Sequence, residues 1–229
     1  MNRFTEPSVD EQRAGEVALD LHSMRTFLRQ WLRDPVKMAS VTPSGRQLAR
    51  LMVAQLPEGS PRVVEIGAGT GVFTRALLDY GIEPSRLLVV EINPHLADFL
   101  RARFPGVAVV CADARHLDRL AADHGLLAEG EPDAVVSGLG LLSMSGELRS
   151  EILRAAFAVL ADEGRFIQFT YGPRSPVRTH ERDALGLEVR RAGSVLRNLP
   201  PASVYVYRRR AAQASRAAAS PTQDSSDNA

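Results

Sequence analysis

A strand pattern that runs directly into a glycine-rich turn constrains this sequence of 229 residues more than any other feature. Residues 63–71 read VVEIGAGTG, a short buried strand followed by glycines at alternate positions. Such a turn, when a helix follows, predicts a nucleoside-binding site, because no side chains separate its backbone from the ligand. Val72 stands where the dinucleotide fingerprint G-x-G-x-x-G has its third glycine. The spacing therefore favours S-adenosylmethionine, which has no pyrophosphate to wrap, over NAD.

Strand and helix patterns alternate through the chain from this strand onward. Strands are predicted at 62–66, 87–91, 107–111, 134–137 and 164–170, with helices at about 71–80, 94–104, 117–124 and 146–160. Two more extended runs, 187–194 and 202–208, are separated by a turn and not by a long helix. The pattern predicts an α/β fold, a Rossmann-like and mostly parallel sheet of seven strands whose last hairpin is antiparallel.

Composition divides the chain into four predicted parts. Residues 1–21 are acidic and expected to be disordered, 22–56 form N-terminal helices, 57–210 form the catalytic domain, and 211–229 form a disordered polar tail. The helix over 47–56 carries an apolar stripe typical of core packing. The acidic N-terminus does not fit a signal peptide, and no apolar run has the roughly 18 residues that cross a bilayer. A soluble, cytoplasmic protein is predicted, with attachment to a membrane surface left open.

Charge and cysteine content exclude several classes of function. The net charge is +1, so no general attraction to nucleic acid or to a membrane is expected. The single cysteine, Cys111, excludes an intrachain disulfide and a thiolate metal cluster. Because it follows a β-branched run, it is predicted to be a small buried side chain and not a reactive thiol. The five histidines lack paired ligand spacing, so no metal is expected.

Acidic residues lie where the second and third predicted strands end. Ligands bind beyond the carboxyl ends of strands in an open parallel sheet. Glu91 is suited to accept hydrogen bonds from both ribose hydroxyls, and Asp113 from the exocyclic amine of adenine. Glu65 is expected to orient the turn or, through water, the methionine ammonium. The predicted cofactor-binding residues are Glu65, Gly67, Ala68, Gly69, Glu91, Ile92, Asp113 and Ala114.

Residues 24–34 combine an apolar helical stripe with a row of basic residues at steps of four. One interpretation is a helix that packs its stripe on the core and exposes its basic face. The other is a helix that lies in a membrane interface, which a basic amphipathic helix bearing tryptophan also fits. Periodicity alone slightly favours the first.

Residues 65–71 together with Glu91 and Asp113 resemble the class I S-adenosylmethionine-dependent methyltransferases. Further segments, FLRQW at 27–31, VTPSGRQLA at 41–49 and QFTYG at 168–172, resemble the bacterial phospholipid N-methyltransferases. This resemblance spans roughly residues 24–207.

The resemblance implies stepwise methylation of phosphatidylethanolamine towards phosphatidylcholine, with anionic lipids as partners. It also implies a membrane-associating N-terminal helix, and so peripheral association of a monomer with the inner face of the cytoplasmic membrane. The predicted membrane and substrate residues are Arg25, Phe27, Leu28, Arg29, Trp31, Leu32, Arg33 and Ser44.

The acceptor side departs from this family at one position. After the fourth strand the chain reads Ser137-Gly138-Leu139-Gly140, where the family more usually has proline at position 140. The ribosomal RNA adenine dimethylases have Asn-Leu-Pro-Tyr there, and the lack of both the asparagine and the tyrosine argues against RNA. Ser137 and Gly138 are predicted to line the active-site floor. Tyr171 is the first candidate to orient the amine, the alternative being an aromatic cap on the sheet.

Other functions stay open on sequence grounds. The chain could be a methyltransferase for a soluble small molecule or for ribosomal RNA adenine. It could also be a non-catalytic nucleoside-binding module, since the glycine turn and the acids support binding and not transfer. Neither the proton acceptor nor the number of methyl groups transferred is predicted.

Overall fold

The computed structural model describes residues 43–59, 62–128, 130–196 and 201–210. The predicted membrane helix at 24–34 lies outside these ranges. The helices are α1 (Pro43–Val53), α2 (Val72–Tyr80), α3 (Pro94–Arg103), α4 (Leu117–Asp123), α5 (Gly146–Val159) and α6 (Thr179–Ala184). The strands are β1 (Val63–Ile66), β2 (Leu87–Glu91), β3 (Ala108–Cys111), β4 (Ala134–Ser137), β5 (Arg165–Tyr171), β6 (Leu187–Val195) and β7 (Ala202–Arg209).

The strands form one seven-stranded sheet in the order β3-β2-β1-β4-β5-β7-β6. Strands β1 to β5 pair in parallel, and β7 pairs antiparallel with both β5 and β6. The predicted fold class is therefore confirmed. The strand order reverses between β1 and β4, which opens a crevice at the carboxyl ends of these strands where ligands of α/β sheets bind.

Two apolar layers cover the faces of the sheet. Residues of α1, α2 and α3, such as Met52 and Leu77, pack on one face, and residues of α4 and α5, such as Leu117 and Leu153, pack on the other. All residues of β1 and β2 are buried. Buried parallel strands form continuous apolar runs in the sequence, which is why the predicted bounds of β1 and β2 are close to the observed ones.

The helix α1 runs across the sheet from its carboxyl edge to its amino edge. Its Leu51 side chain lies over Gly193, whose partner Val204 pairs with Phe169 near the carboxyl end of β5. At the other end, Arg165 at the start of β5 donates from Nη1 to the carbonyls of Gln55 (2.7 Å) and Leu56 (3.1 Å). Pro43, the first described residue of α1, therefore lies at the end of the helix on the side of the crevice.

Helix boundaries follow local chemistry, with two differences from prediction. Asn93 begins α3 by accepting from the backbone N–H of His95 (3.0 Å), and Gly81 ends α2 at a positive φ of 107°, both as predicted. The helix α1 begins at Pro43, within the segment 42–45 predicted as a helix start, where proline is well tolerated, but it ends at Val53 and not at Leu56. The helix α6 has only six residues and was not predicted, because no apolar periodicity marks it. Across the described ranges, no helix has the length and apolar character needed to traverse a bilayer.

Candidate active site

The glycine turn, residues 67–71, follows β1 and lies between the ends of the neighbouring strands β2 and β4. Gly67 N donates to the carbonyl of Val90 in β2 (2.8 Å), and Gly138 N donates to the carbonyl of Ile66 (2.9 Å). Gly67, Gly69 and Gly71 have φ values of 68°, 57° and 78°, a region that favours glycine. The turn therefore follows directly from glycines at alternate positions.

Glu91 is buried and holds this turn from the adjacent strand. Its Oε2 accepts from Gly69 N (2.8 Å) and its Oε1 accepts from Asn93 N (3.0 Å). Each carboxylate oxygen retains a further lone pair. Glu91 can therefore fix the turn and still accept hydrogen bonds from two ribose hydroxyls, the role predicted for it.

Gly67 and Gly69 meet different surroundings. A Cβ on Gly67 would overlap Cδ2 of Leu139, in the loop after β4. A Cβ on Gly69 would meet nothing within 4 Å. The predicted reason for glycine at position 67, contact with the ligand, differs from the observed one, since a neighbouring loop of the protein already fills that space. At Gly69 the side chain would enter open space, where the cofactor is predicted.

Asp113 follows β3 and is paired with Arg115. Its Oδ2 accepts from Arg115 Nε (3.0 Å) and Nη2 (2.8 Å), and its Oδ1 accepts from Arg115 N (2.9 Å). The hydrogen bonds from the Arg115 side chain hold the pKa of Asp113 below its usual value. Asp113 is therefore a charged acceptor, and Oδ1 keeps a lone pair for the predicted bond from adenine. Ala114 comes next in the chain, and Ile92, 65% exposed, follows Glu91 at the same edge.

Cys111 contradicts its predicted burial, because its side chain is exposed. It is the last residue of β3, an edge strand whose two end residues, Ala108 and Cys111, are exposed. Its Sγ lies 3.7 Å from the carbonyl oxygen of Ile92. A β-branched run predicts a strand but not which of its residues face solvent. Within the described ranges, no three His, Cys, Asp or Glu side chains converge in a way that would hold a metal ion.

Glu65 is fully buried beneath the turn and bonded to the first turns of α2. Its Oε2 accepts from Thr74 Oγ1 (2.6 Å), whereas Oε1 has no hydrogen-bond partner. Burial raises the pKa of Glu65 from 4.5 to about 8. The carboxyl is therefore mainly protonated at neutral pH. Its hydrogen bond with Thr74 joins β1 to α2, and its predicted roles towards the turn and the methionine ammonium stay predictions.

The raised pKa of Glu65 makes stability depend on pH. The unfolded chain loses this proton near pH 4.5 and the folded chain near pH 8. Stability from this group is therefore complete below pH 4.5 and is lost as pH rises to about 8, by up to about 1.4 kcal/mol per pH unit. Chemical denaturation at pH 5, 7 and 9 is expected to show this decline in wild type but a smaller one in Glu65→Gln, which cannot ionise. Equal slopes in the two proteins would contradict the assignment.

The loop after β4, residues 138–144 and hereafter the acceptor loop, is held from two sides. Ser137 is buried, and its Oγ accepts from Leu139 N (3.3 Å). Gln168 Nε2 donates to the carbonyl of Leu139 (3.0 Å) from β5. A Cβ on Gly138 would overlap the carbonyl oxygen of Gly67. Gly138 therefore packs against the glycine turn, with Ser137 next to it, and the role of both residues in the active-site floor stays a prediction.

Tyr171 is the last residue of β5 and not, as predicted, the residue after that strand. It is half-buried, packs against the core, and its ring meets Phe169 edge-on with 5.5 Å between centroids. This packing fits the alternative prediction, an aromatic cap on the sheet. Its role with the amine stays a prediction. Ser44 lies in the first turn of α1.

Two residues of the QFTYG segment, to which the sequence assigned no individual roles, place polar side-chain atoms on β5. Gln168 Oε1 and Thr170 Oγ1 are buried without a hydrogen-bond partner. The residues are two apart on a strand, so they share one face of the sheet at its carboxyl end. The hydrogen bonds of Gln168 fix the orientation of its side-chain amide. Its Nε2 donates to the carbonyls of Leu139 and Phe169, so Oε1 is the atom without a partner among the described residues. Polar residues at alternate positions of an otherwise apolar strand were the available signal.

Comparisons with known proteins agree with this geometry. A family model described as a methyltransferase domain matches residues 63–164. Ornithine lipid N-methyltransferase of Singulisphaera acidiphila is 35% identical over 188 residues, which cover 80% of this chain and 94% of that protein.

Solved structures of methyltransferases share the fold. The 1,6-didemethyltoxoflavin-N1-methyltransferase of Burkholderia thailandensis is 16% identical with a TM-score of 0.55, covering 91% of this chain and 94% of its own. A TehB-like S-adenosylmethionine-dependent methyltransferase of Corynebacterium glutamicum is 18% identical with a TM-score of 0.53, covering 82% and 99%. At this identity the structures establish the fold alone. With the glycine turn, Glu91 and the relative that matches most of its length, the chain belongs to the same family as ornithine lipid N-methyltransferase, within the class I S-adenosylmethionine-dependent methyltransferases.

Proposed function

We propose that the chain N-methylates the primary amine of a membrane lipid headgroup, with phosphatidylethanolamine as the acceptor. The observation that carries lipid methylation is the 35% identity to ornithine lipid N-methyltransferase along 80% of the chain. The FLRQW, VTPSGRQLA and QFTYG segments support phosphatidylethanolamine in particular. The amine of an ornithine lipid is the second candidate, because the relative bears that name.

The acceptor side has the polar atoms that an amine requires. Gln168 Oε1 accepts hydrogen bonds, and the Thr170 hydroxyl both accepts and donates. Both are unpartnered in the described part of the chain and lie on the strand next to Ser137. A headgroup amine bonded there would recover the cost of leaving such atoms buried and unpaired. This arrangement supports an amine, and not an apolar group, as the group that receives the methyl.

The reaction asks little covalent chemistry of the protein. The nitrogen lone pair attacks the methyl carbon of the sulfonium, the carbon–sulfur bond breaks, and its electron pair stays on sulfur. The donor and the amine must be aligned at about 3 Å and kept from water, so positioning dominates catalysis. The amine gives up one proton at each transfer. Fixing the acceptor loop against the glycine turn provides the required alignment.

The carboxyl edge of the sheet has features of a surface that meets lipid. Leu142 and Leu196 expose 37% and 78% of their surface there, and Arg174 and Arg178 are exposed in the loop after β5. Apolar tips beside basic side chains favour an interface with anionic lipid. Pro43, where the described part of the chain begins, lies at the same edge, and we propose the amphipathic segment 24–34, which precedes it in the sequence, as a membrane anchor next to the site. We therefore propose peripheral attachment to the inner face of the cytoplasmic membrane.

Liposomes with a labelled methyl donor test this function. Label is expected in extracted lipid from vesicles containing phosphatidylethanolamine, and its absence from all lipids would contradict the proposal. Label only with ornithine lipid would select the second candidate. Transfer to soluble amines or RNA without vesicles would identify a soluble acceptor, whereas donor binding without transfer would identify a non-catalytic module.

The membrane anchor has a separate test. Trp31→Ala is expected to reduce sedimentation with anionic vesicles several-fold, because tryptophan anchors amphipathic helices at the interface. Tyr80→Ala is the matched control, since Tyr80 is an exposed aromatic residue at the end of α2, on the opposite edge of the sheet. Equal sedimentation of both variants would contradict the assignment of residues 24–34.

A further inference from the structure

A buried ion pair lies directly behind the acceptor loop. Arg149 in α5 and Glu181 in α6 expose only 5% of their side chains each. Arg149 Nη2 donates to Glu181 Oε1 (2.5 Å), and Arg149 Nε lies within 3.2 Å of both carboxylate oxygens. The two residues are 32 positions apart in the sequence. The pair therefore joins α5 to α6, two helices that lie far apart in the sequence.

The remaining hydrogen-bonding atoms of this pair bind the backbone of the loops around the site: Arg149 donates and Glu181 accepts. Arg149 Nη1 donates to the carbonyls of Leu141 (3.0 Å) and Met144 (3.2 Å) in the acceptor loop. Glu181 Oε2 accepts from Arg178 N (2.7 Å), at the end of the loop that follows β5. One ion pair thus ties together both loops that flank the acceptor side of the crevice.

The energetics of a buried pair favour a role in geometry over one in stability. Removing two charges from water costs several kcal/mol per ion, and well-packed apolar replacements are often at least as stable. Burial raises the pKa of Glu181, but hydrogen bonds from Arg149 and from Arg178 N outweigh it and keep the pKa below its usual value. The Glu181 carboxylate therefore stays charged at neutral pH. The fork of the guanidinium sets directions that apolar side chains cannot.

The composition of the acceptor loop explains why its conformation has to be held by hydrogen bonds. Glycines at 138 and 140 leave its backbone free, where the resembled family more usually has proline at position 140. Hydrogen bonds from Gln168 and Arg149 restrict this loop at the carbonyls of Leu139, Leu141 and Met144. Even a displacement of about 1 Å in aligned reactants can reduce a rate by roughly a hundredfold.

We propose that Arg149 and Glu181 are positioning residues that hold the acceptor loop in the conformation that aligns the acceptor amine. This inference rests on the proposed function, because it assumes that the amine binds beside that loop. Neither residue touches the donor site formed by the glycine turn and Glu91. Their loss therefore affects steps that depend on the acceptor and leaves donor binding unchanged.

Arg149→Lys is the first test, with Arg209→Lys as its matched control. Arg209 also donates to backbone carbonyls, those of Phe157, Leu160 and Ala161 at the end of α5, but on the amino edge of the sheet. For Arg149→Lys, kcat/KM for the lipid is expected to fall roughly tenfold or more, with the Kd for S-adenosylmethionine changed less than about twofold. Amide exchange in residues 138–144 is expected to rise roughly tenfold. Arg209→Lys is expected to change neither quantity.

A second variant separates positioning from folding. Arg149→Met/Glu181→Met replaces the pair with apolar side chains and is expected to keep Tm near that of wild type while reproducing the loss in kcat/KM. Wild-type kcat/KM in the double variant would overturn the inference, as would unchanged exchange of residues 138–144 in Arg149→Lys. The measurement of amide exchange requires no lipid. A wild-type protein that methylates no lipid would therefore refute the proposed function, whereas exchange would still decide whether the pair holds the loop.

Discussion

Replacing Glu91 with alanine is expected to abolish measurable binding of S-adenosylmethionine. The change removes both predicted bonds to the ribose, and it also releases the backbone N–H groups of Gly69 and Asn93. Hydrogen bonds to a charged acceptor contribute about 1.5–3 kcal/mol each, so a loss of at least about a hundredfold in affinity is expected. Isothermal titration calorimetry measures it directly.

Two further variants show whether that loss of affinity is specific to the Glu91 carboxylate. Glu83→Ala removes an exposed acid that pairs with Arg86 at 3.7 Å, just before the same strand, and is expected to leave the Kd unchanged. Glu91→Gln keeps the length of the side chain but turns an amide N–H₂ towards one of two backbone donors, so an intermediate Kd is expected. If Glu91→Ala bound the cofactor within threefold of wild type, Glu91 would not be the ribose acceptor.

The sheet and the donor side were predictable because their signals are local. Strands β1 and β2 are buried on both faces and read as apolar runs, and the acid at the end of β2 is adjacent to its strand in the sequence. The parallel register brings Glu91 beside Cys111, two residues before Asp113, so the two acids meet at one edge. These local sequence signals therefore correspond directly to the observed strands, the glycine turn and the position of the acids at the edge of the sheet.

The acceptor side depends on contacts between distant segments, which a local pattern does not contain. Gly67 is required by Leu139, a residue 72 positions away that approaches only once β1 and β4 pair. The helix α6 depends on Glu181 and its partner Arg149 in α5, and not on an apolar stripe. The exposure of Cys111 follows from the edge position of β3, which is set by strand order. All of these features depend on tertiary packing, which a local sequence pattern does not contain.

Replacing Gly138 with alanine is expected to disable both sides of the crevice at once. The added Cβ would overlap the carbonyl oxygen of Gly67, while Gly138 N is bonded to the carbonyl of Ile66 (2.9 Å). Backbone lies on both sides of this contact, so no side chain can rotate to relieve it. The acceptor loop and the glycine turn must then separate. We expect a loss of roughly a hundredfold in kcat/KM and a lower free energy of unfolding by about 1–3 kcal/mol.

Gly193→Ala is the control for Gly138→Ala, because its Cβ would meet only side-chain carbons of Leu51, at 3.3 Å. That leucine can shift, so a change of less than about 1 kcal/mol and an unchanged kcat/KM are expected. Denaturant titration and initial rates with lipid vesicles measure both quantities. Near-wild-type rates in Gly138→Ala would mean that the turn and the loop can separate without cost to transfer. A loss of rate with an unchanged Kd for S-adenosylmethionine would confine the effect to the acceptor loop, because the turn that holds the donor would then have kept its place.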